Sequence, residues 1–129
     1  MPKFIINGKK PLSGQIAVSG AKNSALKIIP ASILSTEKIT IKNLPNIEDV
    51  TRSFEVLTDL GAKITYNGSE ANIDTSNIAN NELNAKMADK FRGSIMFVAP
   101  LLARFGEAKF PHPGGCVIGA GGRPIDLFL

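Results

Sequence analysis

The residues with the clearest chemical potential lie in a glycine-rich stretch at positions 113–124. It holds the single cysteine of the chain, Cys116, together with five glycines and Arg123. Glycine backbones can approach a ligand closely, and consecutive free N–H groups in such loops form concave anion sites. A nearby guanidinium can bind phosphate or carboxylate, and its charge favours the reactive thiolate form of a cysteine. The stretch therefore predicts an anion-binding loop with one reactive cysteine, although a plain turn around a small buried cysteine has the same composition.

The residues that follow the loop predict the start of a helix. Pro124 suits a first helical turn, and a helix N-terminus attracts anions. Ile125, Asp126 and Leu127 continue this segment. Asp126 could serve a ligand, or it could simply interact with the positive end of its own helix.

Composition limits the classes of function. The 129 residues carry 43% hydrophobic and 20% charged side chains, with a formal net charge of +4. No apolar run is long enough to span a bilayer, and one cysteine cannot form an internal disulfide, so we expect a cytoplasmic protein without a membrane partner. One cysteine and one histidine, His112, are too few for a Cys/His zinc site. The basic residues are scattered, which favours a small anionic ligand over nucleic acid, and His112 receives no role.

The elements that must position these residues alternate between strands and helices. Two short strands are predicted within residues 3–18, and a helix is predicted from Lys22 to Ser35 with a kink at Pro30. A strand over 38–42 precedes a second, clearly amphipathic helix. Asn46 is its predicted N-cap, and the glycine of Leu60-Gly61 is its predicted C-terminal signal.

The second half of the chain begins with a predicted hairpin. Its strands are residues 63–66 and 71–73, with a two-residue Asn67-Gly68 turn between them. A polar stretch over 75–84 is typical of a linker, and residues 86–105 predict a third helix that is apolar on most sides. A short strand over 107–110 leads into the glycine-rich loop.

An internal repeat relates two segments seventy residues apart. Positions 22–30 and 92–100 each have a basic residue, a serine two residues later, an apolar run and a proline at the eighth position. The repeat predicts α/β units and places Lys22 and Arg92 at equivalent helix starts. Without the repeat, Lys22 is an exposed helix-start lysine, and Arg92 could form a weak surface pair with Asp89.

Several motifs resemble those of the UDP-N-acetylglucosamine 1-carboxyvinyltransferase family, the enolpyruvyl transferases that begin peptidoglycan synthesis. They occur in the family's order at positions 19–23, 60–62, 113–116, 118–120 and 123–127. The resemblance runs the length of the chain and corresponds to the N-terminal third of such an enzyme. It implies a truncated α/β fold, made of the repeated α/β units of an inside-out α/β barrel. The expected division is N-terminal strands over 1–20 that belong to the other domain, a first unit over 21–75 and an incomplete second unit over 76–129.

The resemblance also implies a reaction and roles for particular residues. Family members transfer the enolpyruvyl group of phosphoenolpyruvate to the 3-hydroxyl of UDP-N-acetylglucosamine and release phosphate, with no metal or organic cofactor. Lys22 would contact phosphoenolpyruvate beside Asn23, Arg92 would contact the nucleotide sugar, and Cys116 would be the proton donor and the target of fosfomycin. The substrate ligands near the end of the chain would be Arg123, Pro124, Ile125, Asp126 and Leu127.

Two features allow a different function. The family pattern runs from Gly-Ala directly into Arg-Pro, whereas Gly121 and Gly122 intervene here and lengthen the interval between Cys116 and Arg123. Apolar surface on an isolated piece of the fold would favour self-association. The alternative is therefore a non-catalytic fragment that binds substrate weakly or associates with itself.

Overall fold

The computed structural model describes residues 3–112, in which helices pack against one face of a small antiparallel sheet. The α-helices are α1 Lys22–Ala31, α2 Glu48–Asp59, α3 Ala85–Ala88 and α4 Val98–Phe105. Two 3₁₀ segments accompany them, Ser32–Leu34 after α1 and Arg92–Phe97 before α4. The strands are β1 Ile39–Ile41, β2 Lys63–Tyr66 and β3 Ala71–Asp74. From residue 22 through residue 74 the order is helix, strand, helix, strand, strand, as the sequence predicts.

The sheet has the order β1-β3-β2, with both pairs antiparallel. Ile73 lies opposite Ile39 on one side and Ile64 on the other, so apolar side chains line up across the face that packs on the helices. On the opposite face the Thr40 hydroxyl donates to the Asn72 side-chain oxygen over 2.7 Å. This alternation gives the sheet one buried face and one exposed face.

The connection between β2 and β3 is longer than the predicted two-residue turn. It spans four residues, because the Asn67 side-chain oxygen accepts the N–H groups of Ser69 at 3.1 Å and Glu70 at 2.8 Å. Gly68 supplies the positive φ of 98° that this loop requires. The side chain of Asn67 thus takes over hydrogen bonding that a tighter turn would leave to the backbone.

Helix α2 has the predicted buried face and C-terminus but a different N-terminus. Val50, Phe54 and Leu57 are buried. Asn46 does not cap the helix: Ile47 occupies the N-cap position without a side-chain hydrogen bond, and its carbonyl accepts from the Val50 N–H at 3.1 Å. The prediction was wrong because the acidic first turn complements the helix dipole without a polar N-cap side chain.

The C-terminus of α2 confirms the predicted glycine signal. Gly61 has φ 111°, and its N–H donates to the Thr58 carbonyl over 3.0 Å. The Ala62 N–H donates to the Leu57 carbonyl over 2.9 Å. These two bonds form a Schellman motif, which satisfies carbonyls that the helix itself leaves open.

The predicted first helix is divided near its end. Helix α1 continues only one residue past Pro30 before the chain tightens into the 3₁₀ segment Ser32–Leu34. The lost backbone donor and the ring of proline explain why the regular helix ends here. The Ser32 hydroxyl donates to the Ile29 carbonyl over 2.7 Å, which satisfies part of this junction.

The predicted continuous third helix over 86–105 is wrong, because three shorter segments replace it. Phe91 is extended, with φ −156° and ψ 116°, and its ring is buried in the core. Pro100 lies in the first turn of α4, where a helix has no use for a backbone donor. Burial of Phe91 and the position of Pro100 therefore outweigh the helical periodicity.

The polar stretch over 75–84 is not the predicted free linker. Thr75, Ile78 and Leu83 are buried, and the Leu83 N–H donates to the Lys109 carbonyl over 2.8 Å. The predicted strand over 107–110 reduces to a single parallel bridge between Glu82 and Lys109. Buried side chains and backbone hydrogen bonds together hold this segment on the core.

The two strands predicted within residues 3–18 do not form in the described chain. Phe4, Ile6 and Leu12 are 95%, 86% and 97% exposed, and this segment has no regular secondary structure. A strand needs a neighbouring edge to satisfy its backbone groups. No strand within residues 3–112 pairs with this segment. The predicted domain division stays a prediction.

Candidate functional site

A cavity of about 570 Å³ lies where the beginnings of three helical segments meet. Its walls come from α1, from the first turn of α2 and from the chain around the start of the second 3₁₀ segment. The lining residues are Lys22, Asn23, Leu26, Lys27, Asp49, Lys90, Phe91, Arg92, Gly93, Ile95 and Met96. It therefore brings together three residues that the sequence singles out: Lys22, Asn23 and Arg92.

Lys22 is the first residue of α1, and a close backbone approach fixes where that helix begins. A Cβ added to Gly20 would lie 1.9 Å from the carbonyl oxygen of Asn43, a residue that itself has φ 57°. Only glycine leaves room for this approach. The Ala21 carbonyl then accepts the Ala25 N–H over 3.1 Å, so the helix starts with Lys22 on the cavity wall.

The ammonium group of Lys22 forms an ion pair with the Asp49 carboxylate. The two side chains are 57% and 31% exposed, so the pair lies at the cavity rim rather than in the core. Asp49 belongs to the first turn of α2, where the helix dipole favours a carboxylate. The pair fixes the direction of Lys22 and adds only modest stability.

Arg92 begins the second 3₁₀ segment, and its neighbours shape the opposite wall. A Cβ added to Gly93 would lie 2.1 Å from the ring of Phe91, so the absence of a side chain at 93 lets that ring pack inward. The Ser94 hydroxyl donates to the Ala88 carbonyl over 3.3 Å and holds the segment against α3. Lys22 and Arg92 are thus each the first residue of a helical segment, an α-helix for Lys22 and a 3₁₀ helix for Arg92.

The electrostatics of the cavity favour an anion. Lys22, Lys27, Lys90 and Arg92 carry positive charge, and Asp49 is the one carboxylate among the described lining residues. Lysine is a point contact for phosphate, whereas an arginine can bind phosphate or carboxylate in a bidentate manner. In residues 3–112 no cluster of His, Cys, Asp and Glu could hold a metal ion. The described wall is therefore suited to binding an anion.

Sequence reasoning missed part of the site. Asp49, Lys27 and Lys90 line the cavity, but their spacing along the chain carries no motif. By its spacing from Asn46, Asp49 indicates only a favourable charge in the first turn of a helix. A long-range contact decides its role, and periodicity within one helix cannot reveal such a contact.

The predicted residues of the glycine-rich loop lie outside the described residues. They are Cys116, Arg123, Pro124, Ile125, Asp126 and Leu127, together with Gly121 and Gly122. His112, the last described residue, is exposed and does not line the cavity. The roles assigned to the loop residues stay predictions.

Comparison with known proteins settles the family. Residues 6–129 match the EPSP synthase (3-phosphoshikimate 1-carboxyvinyltransferase) family. The chain belongs to this family. Two relatives illustrate the similarity, both named as UDP-N-acetylglucosamine 1-carboxyvinyltransferases. The protein of Geotalea uraniireducens is 43% identical over 129 residues, and one from Clostridium acetobutylicum is 46% identical over 131 residues. Each alignment covers 100% of this chain, which spans only 30% and 31% of the respective relatives.

A solved structure supports the same fold. The enolpyruvyl transferase NikO from Streptomyces tendae superposes with a TM-score of 0.66 and 28% identity. The superposition covers 74% of this chain and 22% of that protein. This similarity confirms the predicted α/β fold class as part of an enolpyruvyl-transferase fold. No helix among the described residues is long and apolar enough to cross a membrane.

Proposed function

We propose that this chain forms part of the substrate site of a UDP-N-acetylglucosamine 1-carboxyvinyltransferase. Such an enzyme transfers the enolpyruvyl group of phosphoenolpyruvate to the 3-hydroxyl of UDP-N-acetylglucosamine and releases phosphate. The observation that carries the proposal is the meeting of Lys22, Asn23 and Arg92 on one cationic cavity. The names of its relatives support the same reaction.

The two cationic walls divide the substrate contacts between them. Lys22 offers a point contact for the phosphate of phosphoenolpyruvate, and Asn23 offers amide hydrogen bonds beside it. Arg92, on the opposite wall, is the proposed contact for the nucleotide sugar. Because both substrates are anionic, a wall with one carboxylate and several cations can hold them side by side.

The glycine-rich loop completes the proposed chemistry. The sugar oxygen bonds to the central carbon of phosphoenolpyruvate while a proton is added to its methylene carbon. This step needs an acid, for which we propose the Cys116 thiol, and a base for the sugar hydroxyl. The adduct then loses phosphate and a proton to restore the double bond. Glycine N–H groups and Arg123, with the segment Pro124–Leu127, would stabilise the substrate anions without a metal or organic cofactor.

The biological setting follows from this reaction. The transferred group belongs to a peptidoglycan precursor, so we propose a cytoplasmic role in cell-wall biogenesis, cell shape and division. Phosphoenolpyruvate and UDP-N-acetylglucosamine are the proposed partners, with no role for nucleic acid or a membrane. The Cys116 thiol is the proposed target of fosfomycin.

A phosphate-release assay with both substrates tests the proposal on this chain and on a polypeptide that continues it to the length of its relatives. We expect negligible turnover from the 129-residue chain, because it spans only 30% of a relative such as the Geotalea uraniireducens protein. We expect turnover from the longer polypeptide, lost in the Lys22→Ala and Cys116→Ala variants and kept in Lys63→Ala. Lys63 lies on β2, away from the cavity. Turnover that tolerates Lys22→Ala would contradict the proposed site.

A second candidate function is a non-catalytic chain that binds substrate weakly or associates with itself. The observation that favours it is the run of exposed apolar side chains at the start of the described chain. Those more than 80% exposed are Phe4, Ile6, Leu12, Ile16 and Val18. Soluble monomers rarely expose so much apolar surface in one segment.

A further inference from the structure

Two lysines of the cavity have no part in the proposed substrate contacts. Lys27 lies on α1, four residues after Asn23 and therefore on the same side of that helix. Lys90 comes from the opposite wall, two residues before Arg92. Both side chains are exposed, and both line the cavity. No ion pair formed within residues 3–112 includes either of them.

We propose that Lys27 and Lys90 draw small phosphate- and carboxylate-bearing anions into this cavity. The inference rests on the proposed function for the identity of the anion that enters, phosphoenolpyruvate. Each ammonium group is exposed to solvent, and no ion pair with a described residue holds it in place. Such a charge acts over several ångströms rather than through one fixed contact.

The arrangement of the cavity concentrates this effect. The Asp49 carboxylate pairs with Lys22 and offsets the positive charge of that ammonium group. Lys27 and Lys90 restore a positive field from two separate walls. A cleft lined by charges of one sign raises the local concentration of an oppositely charged ligand and its association rate. Lys27 and Lys90 therefore raise the rate at which an anion enters the cavity, while Lys22 and Arg92 contact the bound anion.

Charged paramagnetic probes measure this field without requiring substrate binding. A carboxylated and an aminated nitroxide are added separately to the 129-residue chain at low ionic strength, and relaxation of the Asn23 and Gly93 amides is compared. We expect the anionic probe to relax both amides more strongly. The ratio of the anionic to the cationic effect should fall about fourfold for Lys27→Gln, as for Lys90→Gln, since a unit charge near 10 Å in water changes the local concentration of each probe by about twofold, in opposite directions.

Lys63→Gln is the matched control, because it removes one exposed lysine from β2, outside the cavity wall. It should leave the two amides unchanged. Ratios that stay constant in Lys27→Gln and Lys90→Gln, or that fall equally in the control, would overturn the inference. Unchanged amide spectra elsewhere in each variant establish that the fold is kept.

A titration with phosphoenolpyruvate separates this inference from the proposed function. Amide shifts at Asn23 that disappear in Lys22→Ala support the proposed site, and their absence in the wild-type chain counts against it. The nitroxide ratios decide the role of Lys27 and Lys90 in either case. If both ideas hold, the Lys27→Gln/Lys90→Gln variant binds phosphoenolpyruvate several-fold more weakly at low salt, and the difference shrinks at an ionic strength of about 1 M.

Discussion

Asp49 and Lys22 form a contact between residues that are distant in sequence, and it governs the charge of the candidate site. The carboxylate pairs with the ammonium group that we assign to phosphoenolpyruvate. It therefore orients Lys22 and also competes with an incoming anion. Orienting Lys22 raises the affinity for an anion, whereas competing for Lys22 lowers it, so the effect of removing the carboxylate shows which of the two is larger.

Replacing Asp49 with asparagine should make inorganic phosphate bind more tightly, by about twofold to fivefold, because the described wall then loses its one carboxylate. The free energy of unfolding should change by less than about 1 kcal/mol, as for other pairs at the surface. Amide titrations and denaturant unfolding give the two values. Glu48→Gln is the control, since Glu48 pairs with Arg52 instead. Weaker phosphate binding in Asp49→Asn would show that orientation of Lys22 dominates.

Asp74, at the end of β3, gives a pH prediction at the same scale. Its side-chain oxygen accepts the Ser76 hydroxyl at 2.6 Å and the Ser76 N–H at 3.0 Å, and these bonds lower the pKa of the Asp74 carboxyl. A lowered folded-state pKa contributes stability above the unfolded pKa, and that stability is lost as pH falls through the folded one. Ser76→Ala should raise the pKa of Asp74 in a carboxyl NMR titration, whereas Ser35→Ala should not. An unchanged pKa would mean that the Ser76 N–H, which the variant keeps, or the Lys38 and Lys63 charges set the shift.

At the scale of elements, helix starts place the site, and glycines decide where those helices can start. Gly20 sits against the Asn43 carbonyl just before α1, and Gly93 sits beneath the Phe91 ring just after Arg92 begins its segment. Gly20 comes two residues before Lys22, and Gly93 directly follows Arg92. The element starts are therefore set by close packing rather than by polar caps, since neither segment has a side-chain N-cap hydrogen bond.

Gly20→Ala should destabilise the fold by about 1–3 kcal/mol, because its Cβ would lie 1.9 Å from the Asn43 carbonyl oxygen and the backbone must move. Denaturant unfolding measures the loss, and the Lys22 amide shift reports displacement of α1. Gly8→Ala is the matched control, since its Cβ would meet nothing within 4 Å. Equal stability of the two variants would show that Asn43 yields without cost.

At the scale of the whole molecule, the described chain has a packed part and an extended N-terminal part. The helices and the sheet share one apolar core around fully buried side chains such as Ile29, Leu57 and Phe97. Residues 3–18 contribute nothing to it, and their apolar side chains face solvent. The packed part can stabilise the candidate site, while the extended part is available to another polypeptide surface.

We expect the 129-residue chain to self-associate at tens of micromolar, since exposed apolar side chains promote association. Sedimentation equilibrium should show less association for the Ile6→Asp/Ile16→Asp variant. The control is Leu34→Asp, because Leu34 is also exposed, at 61%, but lies on the packed part of the fold. A wild-type chain that is fully monomeric, or a control that loses association equally, would contradict this prediction.

The sequence alone determined the elements whose signals are local. Helix α2 and its Gly61 terminus follow from an apolar stripe and a positive-φ residue, and the two strands of the hairpin follow from their flanking turn residues. The repeat also placed Lys22 and Arg92 at helix starts. These features depend on neighbours along the chain, which a sequence displays directly.

Only the tertiary structure decided the features that depend on distant partners. Burial of the Phe91 ring divided the predicted third helix, and the absence of a partner edge within residues 3–112 left the N-terminal segment without strands. Asp49 lies at the site because it forms an ion pair with Lys22, 27 positions away in the sequence. Lys27 and Lys90 belong to the site because the packed helical segments bring both to the cavity wall. Local propensity is a weak energy that burial and pairing readily outweigh, so such contacts are fixed only when the chain packs.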